Sequence, residues 1–167
     1  MKILAIDTAT DETSVAVTEG VKILSNVVWS QASLHAKWGG VVPSIAQREH
    51  EKRIDFVVEK ALKQAFPKSH ATSYSPRACV DARRSEAGQL LATKVDAIAV
   101  TIGPGLSIAL GVGVDKAKEL AKKHKKPLIA VNHVEGHILS PFARPKSSAS
   151  YKPSTRAQAE GLPATSY

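Results

Sequence analysis

The sequence predicts an α/β protein, a mixed sheet with helices packed against it. Short apolar or alternating runs of strand length fill the first thirty residues, apolar residues recur at helical spacing over 43–66 and 107–124, and a continuous apolar run, Val95 to Thr101, falls between them. With 167 residues and 43% hydrophobic content, one packed domain is the default.

Each element has its own warrant. Lys2 to Ile6 is a short apolar run, and Thr13 to Thr18 alternates Val15 and Val17 with small or polar residues. After the Glu19-Gly20 turn, Lys22 to Ser30 continues as a third strand, which makes an antiparallel meander. Pro43 suits the first turn of a helix, and Ile45, Ala46, Ile54, Val57, Val58, Ala61, Leu62 and Ala65 mark its apolar face as far as Phe66. Val95 to Thr101 reads as a buried strand, Ser107 to His124 as a helix containing glycines, and Pro127 to Val131 as a strand leading to a short helix from Asn132. The order is βββαβαβ and then a helix. It suits the ribonuclease H-like lobe of the actin and sugar-kinase (ASKHA) superfamily.

Two stretches stand outside this pattern. Lys68 to Ala78 resembles Lys146 to Ala157, and Glu86 to Thr93 resembles Glu160 to Thr165; both are rich in Ser, Ala, Pro and Arg with little apolar periodicity. The expected organisation is a lobe over 1–143, interrupted by a low-complexity insert at about 67–94, and a basic, disordered tail over 144–167. The same stretches hold most of the excess charge. Lys+Arg 23 against Asp+Glu 15 gives a net +8, of which the insert and the tail carry +3 each, so the basic balance is peripheral and does not by itself describe a nucleic-acid groove. One cysteine excludes a disulfide framework. The apolar runs are too short to span a bilayer, and Met1 to Asp7 is too short in apolar residues for a signal peptide, so a cytoplasmic protein with no membrane partner is expected.

Four groups of residues have chemical potential. His133 and His137, in Asn-His-Val-Glu-Gly-His, share one face of a helix and suit a single metal ion, although capping or surface histidines read the same way. Their spacing is not the zinc-peptidase HExxH, since Val134 stands where its glutamate would be. Thr101-Ile-Gly-Pro-Gly-Leu-Ser sits between a strand and a helix; Gly103 and Gly105 either let a backbone approach an anion or supply a tight turn, while Gly111 and Gly113 allow close helix packing. Asp7, Asp11 and Glu12 follow the first strand, where carboxylates either position a metal ion, water or phosphate or remain solvated turn acids. His35 and His50 flank Lys37-Trp-Gly-Gly-Val-Val-Pro43, which is a mobile binding loop or a plain connection.

Taken in order, Ile6-Asp-Thr-Ala-Thr-Asp-Glu-Thr-Ser14, His35 to Pro43, Thr101 to Leu106 and Asn132 to His137 resemble the tRNA N6-adenosine threonylcarbamoyltransferases, the TsaD/Gcp family once labelled glycoproteases. The His-x-Glu-Gly-His stretch is the most specific part. The resemblance implies an acyltransferase that moves the threonylcarbamoyl group from threonylcarbamoyl-AMP to N6 of the adenosine 3′ to the anticodon of tRNA. It implies His133 and His137 as metal ligands, iron(II) in preference to zinc; Asp11 and Glu12 as catalytic acids; and Asp7, Gly103 and Gly105 as substrate contacts. The implied partners are tRNA, a sister Gcp-like protein and a small ATPase.

By these motifs the resemblance covers about 1–66 and 95–143, the N-terminal half of a family member. The family's second lobe, with a Ser-Gly-Gly turn and a metal-binding aspartate, has no counterpart here; Ala9 stands where Cys is usual, and Ser44 where Glu is usual. The expectation is therefore a truncated or split enzyme, inactive alone and completed by a separate second-lobe polypeptide. The alternative is a noncatalytic scaffold that pairs with the sister protein, for which a metal-ligating histidine pair would be superfluous.

Overall fold

In a computed structural model the structure describes residues 1–67 and 81–145. The element order is β1 (Lys2–Asp7), β2 (Glu12–Glu19), β3 (Lys22–Ser30), a single turn α1 (Ala32–His35), α2 (Pro43–Ala65), α3 (Asp81–Lys94), β4 (Ala97–Gly103), α4 (Ser107–His124), β5 (Leu128–Asn132), α5 (His133–Leu139) and β6 (Arg144–Pro145). The strands form one mixed sheet in the order β5-β4-β1-β2-β3-β6. β1, β2 and β3 are the antiparallel meander, and β4 joins β1 in parallel with β5 beside it. This is the mixed sheet with flanking helices expected for a ribonuclease H-like lobe.

Alternation along the strands sorts the sheet into two faces. Leu4 and Ile6, Val15 and Val17, and Ile98 and Val100 lie in register across neighbouring strands and are buried. Helices α2 and α4 cover them: Ile54, Val57, Ala61 and Leu62 of α2, with Ala117 and Leu120 of α4, complete the core. Pro43 opens α2 as the sequence predicts, its missing N–H costing nothing in the first turn. Ser25 on β3 ties the sheet to α2, its hydroxyl donating to the Ala61 carbonyl at 2.8 Å.

The second half of the expected insert is a helix, not a polar loop. α3 buries Leu91 at 1% exposure, and Ala87 and Leu90 pack against the same core. Its sequence hid it because the apolar residues are few and crowded toward the C-terminal turns. Residues 68–80 and 146 onward, with Lys68 to Ala78, Lys146 to Ala157 and Glu160 to Thr165, lie outside the described residues. Glu86 to Thr93, by contrast, falls in α3, and Arg144–Pro145, the expected start of a disordered tail, is strand β6 paired with β3. Among the described residues no helix is long and apolar enough to cross a membrane.

Candidate functional site

The opposite face of the sheet is lined by small and polar residues. Ala16, Ala5 and Ala99 lie side by side across β2, β1 and β4, and Ser14 and Asp7 form the next row toward the C-terminal end of β1. Because these side chains are short, a cavity of about 400 Å³ remains above them, closed on one side by Gly136 and His137 of α5 and by Ser140 just after it.

Asp7 ends β1 and His133 begins α5, directly after β5, so the parallel run of β1, β4 and β5 brings their C-terminal ends together although 126 residues separate the two. Asp7 Oδ1 accepts from the Ala9 N–H at 2.8 Å, and Asp7 Oδ2 lies 2.9 Å from His133 Nδ1. One turn further along α5, His137 Nε2 stands 3.0 Å from His133 Nε2, the rings edge to face at 4.5 Å. Asn132 caps this short helix, its side-chain oxygen accepting from the Val134 and Glu135 N–H groups at 2.9 and 3.2 Å. The cap fixes where α5 starts and hence where both imidazoles project.

The donor set fits a metal ion in part. Two nitrogens bound about 2.0–2.1 Å from one ion at octahedral or tetrahedral angles stand about 2.9–3.4 Å apart, and the observed 3.0 Å falls in that range. Among the described residues no group of three metal-ligating side chains is present. The two imidazoles are thus spaced to take two positions on one ion, with no third ligating side chain grouped with them among the described residues.

The other sequence candidates sit elsewhere. Gly103, with φ of 146° in a region that favours glycine, ends β4, and neither it nor Gly105 lines the cavity beside the histidines. Gly105 serves close packing: a Cβ there would stand 2.6 Å from the Ala9 carbonyl oxygen, which accepts from the Leu106 N–H at 2.8 Å. The same contact explains a small residue at position 9, where Ala9 is buried. Asp11 and Glu12 do not line the cavity either; Glu12 is exposed at the start of β2, and the Asp11 carbonyl receives the Gln31 N–H at 3.1 Å.

His35 and His50 are structural braces, which sequence reading left open. His50 is fully buried, with Nε2 donating to the Thr10 carbonyl at 3.0 Å and Nδ1 2.7 Å from the Thr13 hydroxyl, so it clamps both sides of the acidic pair. Burial pushes its pKa down, partly offset by the Thr10 hydrogen bond and by Asp11 and Asp7. His35 Nδ1 accepts from the Val42 N–H at 3.3 Å and its Nε2 faces Gln31 Oε1 at 3.3 Å, which ties down both ends of the glycine loop. The usable signal was a histidine on the apolar face of α2, where His50 takes the place of an aliphatic residue.

The model of the family described as tRNA N6-adenosine threonylcarbamoyltransferase matches residues 22–73 and 77–155. The chain belongs to this family. The family match continues through 77–94 and to 155, where the motifs quoted above do not reach. Curated members named tRNA N6-adenosine threonylcarbamoyltransferase include one from Clostridium novyi, 44% identical over 147 residues, covering 87% of this chain and 36% of the relative. Another, from Caldicellulosiruptor bescii, is 43% identical over 143 residues, covering 85% and 36%. The chain therefore spans about a third of the length of the family members it matches. Among solved structures, YeaZ from Pseudomonas aeruginosa superimposes with a TM-score of 0.46 at 25% identity, over 79% of this chain and 45% of that one.

Proposed function

We propose that this chain forms one wall of a threonylcarbamoyl-transfer site and acts in making N6-threonylcarbamoyladenosine in tRNA. The observation that carries the proposal is the convergence of His133 and His137 at 3.0 Å beside the C-terminal end of β1, over an open cavity. Membership of the transferase family supports the reaction type.

In this reading His133 and His137 hold a divalent ion, iron(II) in preference to zinc, and when bound it supplies Lewis-acid polarisation of the carbamate carbonyl. The small side chains of Ala5, Ala16 and Ala99 leave room for the threonylcarbamoyl-AMP donor. The adenosine N6 forms a bond to the carbamoyl carbon, the bond to the AMP oxygen breaks, and the amine proton is released. Asp11 and Glu12, held between the two His50 contacts at Thr10 and Thr13, are the candidates for taking that proton. They stand outside the cavity, so they would act on a substrate that extends beyond it; Gly103 and Gly105 shape the turn that packs on Ala9. The partners in this reading are tRNA, a sister Gcp-like protein, a small ATPase and a polypeptide carrying the second lobe, all in the cytoplasm. A noncatalytic scaffold is the weaker reading, because a scaffold needs no converging imidazoles.

The test mixes purified chain with threonylcarbamoyl-AMP and tRNA, with and without a polypeptide comprising the remaining part of the Clostridium novyi relative. The modified nucleoside should form only with the second polypeptide, since acyl transfer depends on holding donor and amine in one geometry. Turnover by the chain alone would refute the need for the other wall. No product with a complement shown to bind the chain would refute the enzymatic reading.

A further inference from the structure

We infer that Asp7 is a positioning residue for His133, presetting it as a metal donor. The inference rests on the reading of His133 and His137 as metal ligands, and the experiment separates the two.

Asp7 Oδ1 is held by the Ala9 N–H at 2.8 Å, which fixes the carboxylate plane at the end of β1. Oδ2 then meets His133 Nδ1 at 2.9 Å, and with the side chains 33% and 20% exposed the pair is shielded from much of the solvent. An ionised carboxylate only accepts, so Nδ1 must carry the hydrogen. In a neutral imidazole that leaves the lone pair on Nε2, the atom 3.0 Å from His137 Nε2. The carboxylate therefore selects both the tautomer and the ring orientation that a metal requires, and its charge makes Nε2 a better donor. Among the described residues His137 has no carboxylate at its own Nδ1, so of the two imidazoles only His133 is preset.

Asp7→Asn separates this role from shape. The amide is nearly isosteric; if its oxygen keeps the Ala9 N–H, its NH2 faces His133 Nδ1, which must then accept, and the imidazole hydrogen moves to Nε2 where the ion would bind. Zinc(II) titration of the 167-residue chain at pH 8, with Asp7→Asn and His133→Ala alongside, reads the affinity, and nitrogen NMR of the imidazoles without metal reads the tautomer. Asp7→Asn should weaken zinc binding by about 10–100-fold, the usual effect of losing a carboxylate behind a metal-bound histidine. His133 should carry its hydrogen on Nδ1 in the unaltered chain and on Nε2 in the variant.

Unchanged affinity in Asp7→Asn with loss in His133→Ala would overturn the inference and leave the histidine site standing. Unchanged affinity in both variants would overturn the ligand reading together with the inference. An Nε2–H tautomer in the unaltered chain would overturn the inference without any variant, so the test does not depend on how well Asp7→Asn folds.

Discussion

The two faces of the sheet are built from the same strands and do opposite work. On the helix-covered face Leu4, Ile6, Val15, Val17, Ile98 and Val100 are almost completely buried, and helices α2 and α4 cover them. On the other face the alternate residues of the same strands are Ala5, Asp7, Ser14, Ala16 and Ala99, which leave a cavity and carry the carboxylate that reaches His133. Bulk on one side holds the lobe together, and smallness on the other leaves room for a ligand. The alternation of a strand makes this division possible, since neighbouring residues point to opposite sides.

The largest expected effect tests how far the first face extends. Leu91 lies in α3, within a stretch whose composition reads as a dispensable insert, yet it is 1% exposed among the core residues. Leu91→Ala should cost about 2–5 kcal/mol in denaturant unfolding, as for other buried leucines. A change under about 0.5 kcal/mol, the range of ordinary surface substitutions, would return α3 to the status of an appendage.

The contrast also explains what could be read from the sequence. β2, α2 and α4 were legible because each carries its own period, 2 or 3.6, over enough residues, and β1, β4 and β5 because they are short apolar runs of strand length. α3 was not, since few of its residues are apolar and Leu91 is buried by neighbours distant in the chain. In the site, the His133/His137 pair was legible because four-residue spacing is local. The Asp7–His133 contact was not, because only the parallel placement of β1, β4 and β5 brings the two residues together. The bracing role of His50 has a local signal, since its place on the apolar face of α2 announces a buried polar group in need of partners.

A smaller effect, with a change of sign built in, concerns the seam between the helices and the loop that leads to the site. Gly111 and Gly113 both lie inside α4, but a Cβ at Gly111 meets nothing within 4 Å, whereas one at Gly113 would stand 2.4 Å from Thr8 Oγ1. Thr8 cannot readily give way, as it is buried and its hydroxyl donates to the Ala109 carbonyl at 2.8 Å. Gly111→Ala should stabilise the chain by about 0.5–1 kcal/mol through helix propensity. Gly113→Ala should destabilise it by about 1–2 kcal/mol, the overpacking outweighing the same propensity gain. Thermal unfolding of the two variants reads both signs, and equal shifts would show that the Thr8 contact does not constrain α4.

The smallest expected effect is a pH dependence centred on His50, the imidazole that joins the buried face to the acidic loop. Its Nε2 hydrogen goes to the Thr10 carbonyl and its Nδ1 lies against the Thr13 hydroxyl. Protonation would not break these contacts outright, because the Thr13 hydroxyl can turn to accept. The cost lies in placing a charge where burial excludes water, and burial is the main cause of the lowered pKa, although Asp11 and Asp7 soften it. A base whose folded pKa is depressed binds its proton more readily in the unfolded chain, so stability rises with pH in that range. The contribution is complete above the ordinary histidine value of about 6.5 and disappears as pH falls from there through the lower folded value. His124, lowered by burial and by Lys123 and Lys126, acts in the same direction, so His50 must be isolated by comparison. His50→Gln removes the titrating group while keeping a polar side chain, and unfolding free energies at pH 7.5 and pH 5 should fall less steeply in the variant than in the unaltered chain. Parallel losses in the two would show that His50 stays neutral, or is readily hydrated, throughout that range.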